Sequence, residues 1–186
     1  MSIVVVTPPA SEPVSLAEAK LFLRIDHDVE DDLIVMLIAA AREAVEAATG
    51  RALIKRRVRE NLDLWRREAV NGAALGLGPV SAVIAVRLLA DNGSQSVIDP
   101  ERYRLEGERD RPRLVFPPGL PATLRSAGGI EIEYECGFAG NASGVPVALR
   151  LATLQIVASL YELRTGEAGV PAGARAMMAP FAAARL

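Results

Sequence analysis

Apolar positions along the chain change their period twice, and the changes divide it into three regions. From residue 15 to residue 50 they recur three and four apart: Leu16, Ala19, Leu21 and Leu23, then Leu33, Met36, Leu37, Ala40, Ala41, Ala44, Val45 and Ala48. That is the period of helices with one apolar stripe each. Ser15 and Glu18 have capping-box spacing, so a first helix is predicted to start at Ser15 and to end near Arg24 or Ile25. Asp28 is placed to cap a second helix, with Glu30, Asp31 and Asp32 in its first turn, where carboxylates suit the positive end of the helix dipole. Gly50 supplies a left-handed stop. The first 50 residues therefore read as a helical hairpin behind a Pro-rich lead-in (Pro8, Pro9, Pro13).

From residue 51 to about 140 the period drops to two. Val58, Glu60, Leu62 and Leu64 alternate with Arg57, Arg59, Asn61 and Asp63, and Ile130, Ile132, Tyr134 and Cys136 alternate with Glu131, Glu133 and Glu135. Asp91-Asn92-Gly93 predicts a hairpin turn after the run Val80 to Ala90. A second strand pair is predicted around Tyr103 to Leu105 and Arg113 to Phe116. The helical period returns after Pro146, where Leu149, Ala152, Thr153, Ile156, Val157, Leu160 and Tyr161 form a stripe that Gly166 ends.

These regions predict an α+β protein: the hairpin 15–50 packs on the long helix 145–166 as a helical bundle, and a small, mainly antiparallel sheet from 51–140 is inserted between them. Residues 1–166 read as one domain. The last stretch, 167–186, reads as a flexible tail, because Gly169, Pro171, Gly173 and Pro180 interrupt any long helix. Met177, Met178, Phe181 and Leu186 are its candidate anchors, the alternative being that the tail folds back on its own domain.

Composition narrows the chemistry. Hydrophobic residues are 51% of 186, but 31 of them are Ala, which leaves large side chains for one core. The net charge of -2 carries no basic excess of the kind a dedicated DNA-binding domain shows. One Cys136 and one His27 leave no set for a disulfide or a structural zinc site. No stretch approaches the roughly 18 apolar residues of a membrane span, and Ile3 to Val6 is too short for a signal core.

Candidate catalytic groups are few. His27 is the only imidazole, and it sits between Asp26 and Asp28 before a helix, where a solvated histidine is the common finding. Asp26, Asp28 and Glu30 imitate the start of a calcium loop, but Asp31 and Leu37 stand where glycine and glutamate are needed. No cofactor or metal is indicated. Charge is unevenly spread, with 3 basic against 9 acidic residues in 1–50 and 14 against 12 in 51–144. The acidic group Asp28, Glu30, Asp31 and Asp32 and the basic group Arg56, Arg57, Arg59, Arg66 and Arg67 are candidate subunit-interface charges for a head-to-tail ring, and could equally pair within one subunit.

The stretch Pro13 to Arg24, followed by Asp28, Asp31-Asp32, Leu33-Ile34, the Ala-rich helix and Thr49-Gly50-Arg51, resembles the N-terminal signature of phage head-tail connector proteins, also called adaptor or head-completion proteins, which gene transfer agents share. The ending Met177-Met178-Ala179-Pro180-Phe181 with Arg185-Leu186 is similar to that of their longer members. The smallest members are almost wholly helical, so the strand region departs from the pattern. The resemblance implies a structural protein and not an enzyme. It implies a ring of copies, commonly twelvefold, below the portal protein, extending the DNA channel and offering a platform to a tail-side stopper or terminator protein. It places the chain in the particle's head-tail junction after assembly in the host cytoplasm, with no membrane partner and only non-specific proximity to DNA. The tail residues Met177, Met178, Phe181 and Leu186 would then dock on the portal, and free subunits would be monomers or weak oligomers, since exposed ion pairs are each worth only about 0–1 kcal/mol. Two other classes compete: a small hydrolase using the acidic cluster near His27, and a nucleic-acid-binding accessory protein using Arg51 to Arg67.

Overall fold

The computed structural model of the chain describes residues 2–63, 72–107, 112–116, 125, 127–163 and 169–182. Contacts divide it into two compact units, Met1–Pro8 with Arg56–Gly137 and Pro9–Lys55 with Phe138–Leu186. The architecture is α+β, with the helices in one unit and the strands in the other. Sequence boundaries at 1–166 and 167–186 differ from this division, which instead follows where each segment finds its partners.

The helical unit holds α1 (Leu16–Leu23), α2 (Asp31–Thr49), α3 (Val147–Glu162) and α4 (Ala172–Met178). At the start of α1 the Ser15 hydroxyl accepts the Glu18 amide at 3.2 Å, and the Glu18 carboxylate accepts the Ser15 amide at 2.8 Å, the predicted capping box. The helix stops at Arg24, left-handed at φ 59°. Helix α2 starts later than Asp28: Glu30 is the residue before its first turn and offers no side-chain cap. Asp28 instead accepts the Asp31 amide through its carbonyl at 3.2 Å and gives its carboxylate to Lys20. Gly50, at φ 67°, closes α2 as expected.

The core of this unit joins Ile34, Ile38, Ala41 and Val45 of α2 to Leu149, Ala152, Ile156 and Val157 of α3, with Leu53, Ile54 and Val145. The predicted packing of the hairpin on the long helix is therefore present. The α2 stripe is rotated from its predicted position, for Met36 is 69% exposed while Arg42 and Glu46 are buried. Those two polar residues can face the core because they pair with each other, a contact that a hydrophobicity count does not register.

Residues 169–182 do not form a free tail. Ala174 and Met178 lie in the same core, and Val170, Met177 and Phe181 pack against it. The Phe181 ring meets Phe138 edge-on at 6.3 Å and 84°, and Arg51 Nε donates to the Phe181 carbonyl at 3.0 Å. The residues read as helix breakers have other uses here. Pro171 precedes the first turn of α4, where its missing amide costs nothing. Gly173 lies beside the side-chain amide of Gln155 on α3, with the position of an added Cβ 2.9 Å from Gln155 Oε1.

In the other unit, a five-stranded antiparallel sheet has the order β1-β2-β8-β4-β5, from β1 (Ser2–Thr7), β2 (Arg56–Leu62), β4 (Val80–Leu89), β5 (Gln95–Val97) and β8 (Ile130–Cys136). A three-stranded sheet orders β3 (Ala73–Ala74), β7 (Arg113–Val115) and β6 (Arg104–Glu106) as β3-β7-β6. Both predicted hairpins are present, and Gly93 takes φ 83° in the first. Strand β1 was not anticipated, since its apolar run lacks the alternation that marks a half-buried strand. Val58, Leu62, Ile130, Ile132, Tyr134 and Cys136 fill the buried face of the sheet.

Candidate interaction surfaces

On β2, alternate residues Arg57, Arg59 and Asn61 face away from the buried side. The register sets Arg57 opposite Glu135 and Arg59 opposite Glu133 on β8, with Arg87 of β4 opposite Glu131 on the far side. Opposite charges thus meet across strands. Arg57 lies 3.6 and 3.7 Å from Glu133 and Glu135, Arg59 lies 3.6 Å from Glu131 and Glu133, and Arg87 lies 2.9 and 3.1 Å from Glu131 and Glu133. Hydrogen bonds to Glu133 and Glu131 raise the Arg87 pKa further still. Arg56 is buried on the opposite side of the strand. Arg66 and Arg67 lie outside the described residues. The strand period therefore splits the basic run between two faces, and its outward members pair within the subunit.

The acidic group is likewise partly engaged. Lys20 bridges Asp28 and Asp31, the latter at 2.8 Å; these hydrogen bonds raise the Lys20 pKa and lower that of Asp28. Glu30 accepts the Tyr161 hydroxyl of α3. Asp32 and His27 are exposed. Among the described residues no group of three or more His, Cys, Asp or Glu is placed to hold a metal ion. Of the tail anchors, Met178 is buried, Met177 and Phe181 are half-buried, and Leu186 lies outside the described residues.

Two buried polar groups escaped the sequence reading. Arg42, 7% exposed, places Nε 2.8 Å from Glu12 and Nη1 3.1 Å from Glu46, whose other oxygen accepts the Leu53 amide at 2.9 Å. Burial opposes the Arg42 charge, but Glu46 and Glu12 raise its pKa on balance. Glu60 is 0% exposed on the inward side of β2 and accepts the Tyr134 hydroxyl at 2.8 Å and the Gly76 amide at 3.0 Å. Desolvation lifts its pKa above the usual carboxylate range in spite of those two donors, and burial followed by the nearby Glu60 charge raises that of Tyr134. A clue to Glu60 stands in the alternation Val58-Glu60-Leu62, which puts a carboxylate in an apolar series.

Both units expose apolar side chains. Ile3, Val4, Val5 and Val6 of β1 are all 39–55% exposed. On the helical unit, Leu21, Val29, Met36 and Val147 are 69–90% exposed. A groove of about 420 Å³ in the same unit is lined by Val14, Leu16, Val35 and Ile38 together with Asn141 and Ala142. No helix among the described residues is long and apolar enough to cross a membrane. Surfaces of this kind fit protein contacts.

Comparison with known proteins agrees with that reading. No curated protein matches the chain. Among the solved chains that match are three that cover the whole length of this chain: one in the neck of an empty gene transfer agent particle computed with C6 symmetry (29% identity, TM-score 0.83), one in the virion of a native gene transfer agent particle (30%, 0.83), and one in the neck of a native particle computed with C12 symmetry (29%, 0.75). In each case this chain covers 97% of the other. The model of the phage gp6-like head-tail connector family matches residues 13–90, a span that includes the capping-box helix. The similarity then runs on through the sheet and α4, and on this evidence the chain belongs to the phage gp6-like head-tail connector family, a structural and non-enzymatic one.

Proposed function

We propose that this chain forms a ring in the neck of a phage or gene transfer agent particle, beneath the portal, where it prolongs the DNA channel and gives the tail its seat. The observation that carries this reading is the match over 100% of the chain to neck proteins of gene transfer agent particles solved with sixfold and twelvefold symmetry. The twelvefold number, the portal and the tail-side stopper or terminator belong to the proposal. Exposed apolar side chains on both units supply contact surface for neighbouring copies and for these partners. Exposed acidic residues such as Asp32 remain available for contacts between copies, whereas Arg57 and Arg59 already have carboxylates beside them in their own sheet. That pairing also weakens the nucleic-acid reading, which needed a free basic strand. Docking on the portal through the C-terminal stretch would use the half-buried Met177 and Phe181, because Met178 is committed to its own core.

Deletion of the gene tests the reading. DNA-filled heads with portals but without tails should accumulate, and added protein should restore tail joining. Tailed, infective or transducing particles formed without the chain would overturn it.

A further inference from the structure

Strand β1 is attached to its sheet unlike the strands beside it. It lies at an edge and pairs with β2 alone. Four consecutive β-branched residues, Ile3 to Val6, keep 39–55% of their surface, so none of them is fully buried where the strand sits and an apolar edge is left open. Regular pairing breaks between Val5 and Thr7. Pro8 and Pro9 follow at once, and neither has an amide to join a ladder. At Pro9 the chain also leaves the unit that holds β1 and enters the other. A short arm whose apolar side chains are only about half covered, with a break in its pairing and a stiff hinge, has the makings of an exchangeable element.

We propose that β1 is such an arm: in the assembled ring it leaves its own β2 and completes the sheet of the adjacent copy in the same register. The occupant is a second copy of this chain because the edge of β2 that accepts residues 2–7 is already complementary to the same segment of any copy. Every hydrogen bond lost from one sheet is regained in the next, so the exchange changes connectivity without changing contacts. A ring also holds neighbours at high effective concentration, which favours the exchanged form there and the closed form in dilute solution. Head-to-tail exchange closes when the rotation between copies closes, as a cyclic neck requires. The inference rests on the ring reading above.

Val4 and Arg59 are partners across the β1–β2 pair, and Cys136 is 0% exposed, so a full-length Val4→Cys, Arg59→Cys variant presents two reactive thiols at one known contact. The variant is treated with a short bis-maleimide, first as dilute free chain and then in assembled particles, and run on a denaturing gel. The dilute chain should be linked within itself and migrate as a monomer. Particles should give a ladder of covalent dimers, trimers and higher species that either single-cysteine variant fails to give. Particles yielding only monomers, whether internally linked or unlinked, would overturn the exchange. The pair Thr7→Cys, Arg57→Cys repeats the measurement at a second contact should the first variant fail to fold. Chain missing altogether from wild-type necks would instead defeat the ring reading, so the two failures are distinct.

Discussion

Replacement of Met178 by alanine asks whether the C-terminal helix belongs to the core or merely rests on it. Met178 is 4% exposed and packs in the cluster that contains Ala174 and the facing residues of α3. Truncating a buried methionine costs about 2–5 kcal/mol, the value depending on how far the neighbours relax into the space. α4 is only seven residues long, so it can settle inwards, which favours the lower half of that range, about 2–3 kcal/mol. For a chain of this size each kcal/mol moves the midpoint by roughly 2–4 °C, giving a fall in Tm of about 4–12 °C. Urea denaturation followed by far-ultraviolet circular dichroism measures the difference. Arg175→Ala on the exposed side of the same helix is the control, expected within about 0.5 kcal/mol of wild type. Equal midpoints for Met178→Ala and Arg175→Ala would refute the reasoning, because a side chain that contributes no packing cannot be part of a core.

Glu60 and Arg42 give two further tests. Because the folded-state pKa of Glu60 is raised, the native protein binds more proton than the unfolded chain between the ordinary glutamate range and the raised value, and this residue's contribution to stability falls as pH rises through that window. Wild type should lose stability relative to Glu60→Gln across that window in urea titrations between pH 4.5 and 8; parallel pH profiles would contradict the burial argument. Arg42→Ala removes the guanidinium from buried Glu46 and from Glu12 and should cost about 3 kcal/mol. The loss should persist at high salt, since buried pairs are screened much less than exposed ones, and a loss abolished by 1 M NaCl would show the pair to be a surface one.

What could be read from the sequence depended on whether one local rule governed each element. The Ser15–Glu18 box, the Gly50 stop and the strict alternation of β8 are short-range signals, and each has its expected place. The α2 stripe was misplaced because Arg42 and Glu46 look like solvent residues until their pairing across one helical turn is known. Strand β1 was missed for the opposite reason: an edge strand exposed along its whole apolar run has no inward and outward residues to alternate. In the C-terminal stretch Pro171 and Pro180 do confine α4 to a short helix, but its Ala174 and Met178 pack in the core. They are buried in one cluster with residues such as Ile38 and Leu149, a placement that no local pattern within 169–182 announces. The charged patches divide in the same manner. Period two assigns Arg57 and Arg59 to one face, but the Glu131-Glu133-Glu135 series that neutralises them comes from a strand some seventy residues later.

The seam where the sheet enters and leaves the helical unit has an evolutionary consequence. Arg56 opens β2 and Cys136 closes β8, and these two residues are direct partners in the ladder. Their neighbours on the helical side also meet, for the Lys55 amide donates to the Ala139 carbonyl at 2.7 Å and Phe138 donates to Ala52 at 3.3 Å. Gly137, at φ 129°, makes the exit bend. Whatever lies between such adjoined ends can be lengthened, shortened or exchanged while the helices keep their own hydrogen bonds, so the sheet is a cassette on a helical chassis. Strand β1 is the one part of the cassette encoded outside it. A lineage that gained or lost the sheet therefore had to alter two places in its gene, and an engineered minimal connector must likewise remove residues 1–8 together with 56–137.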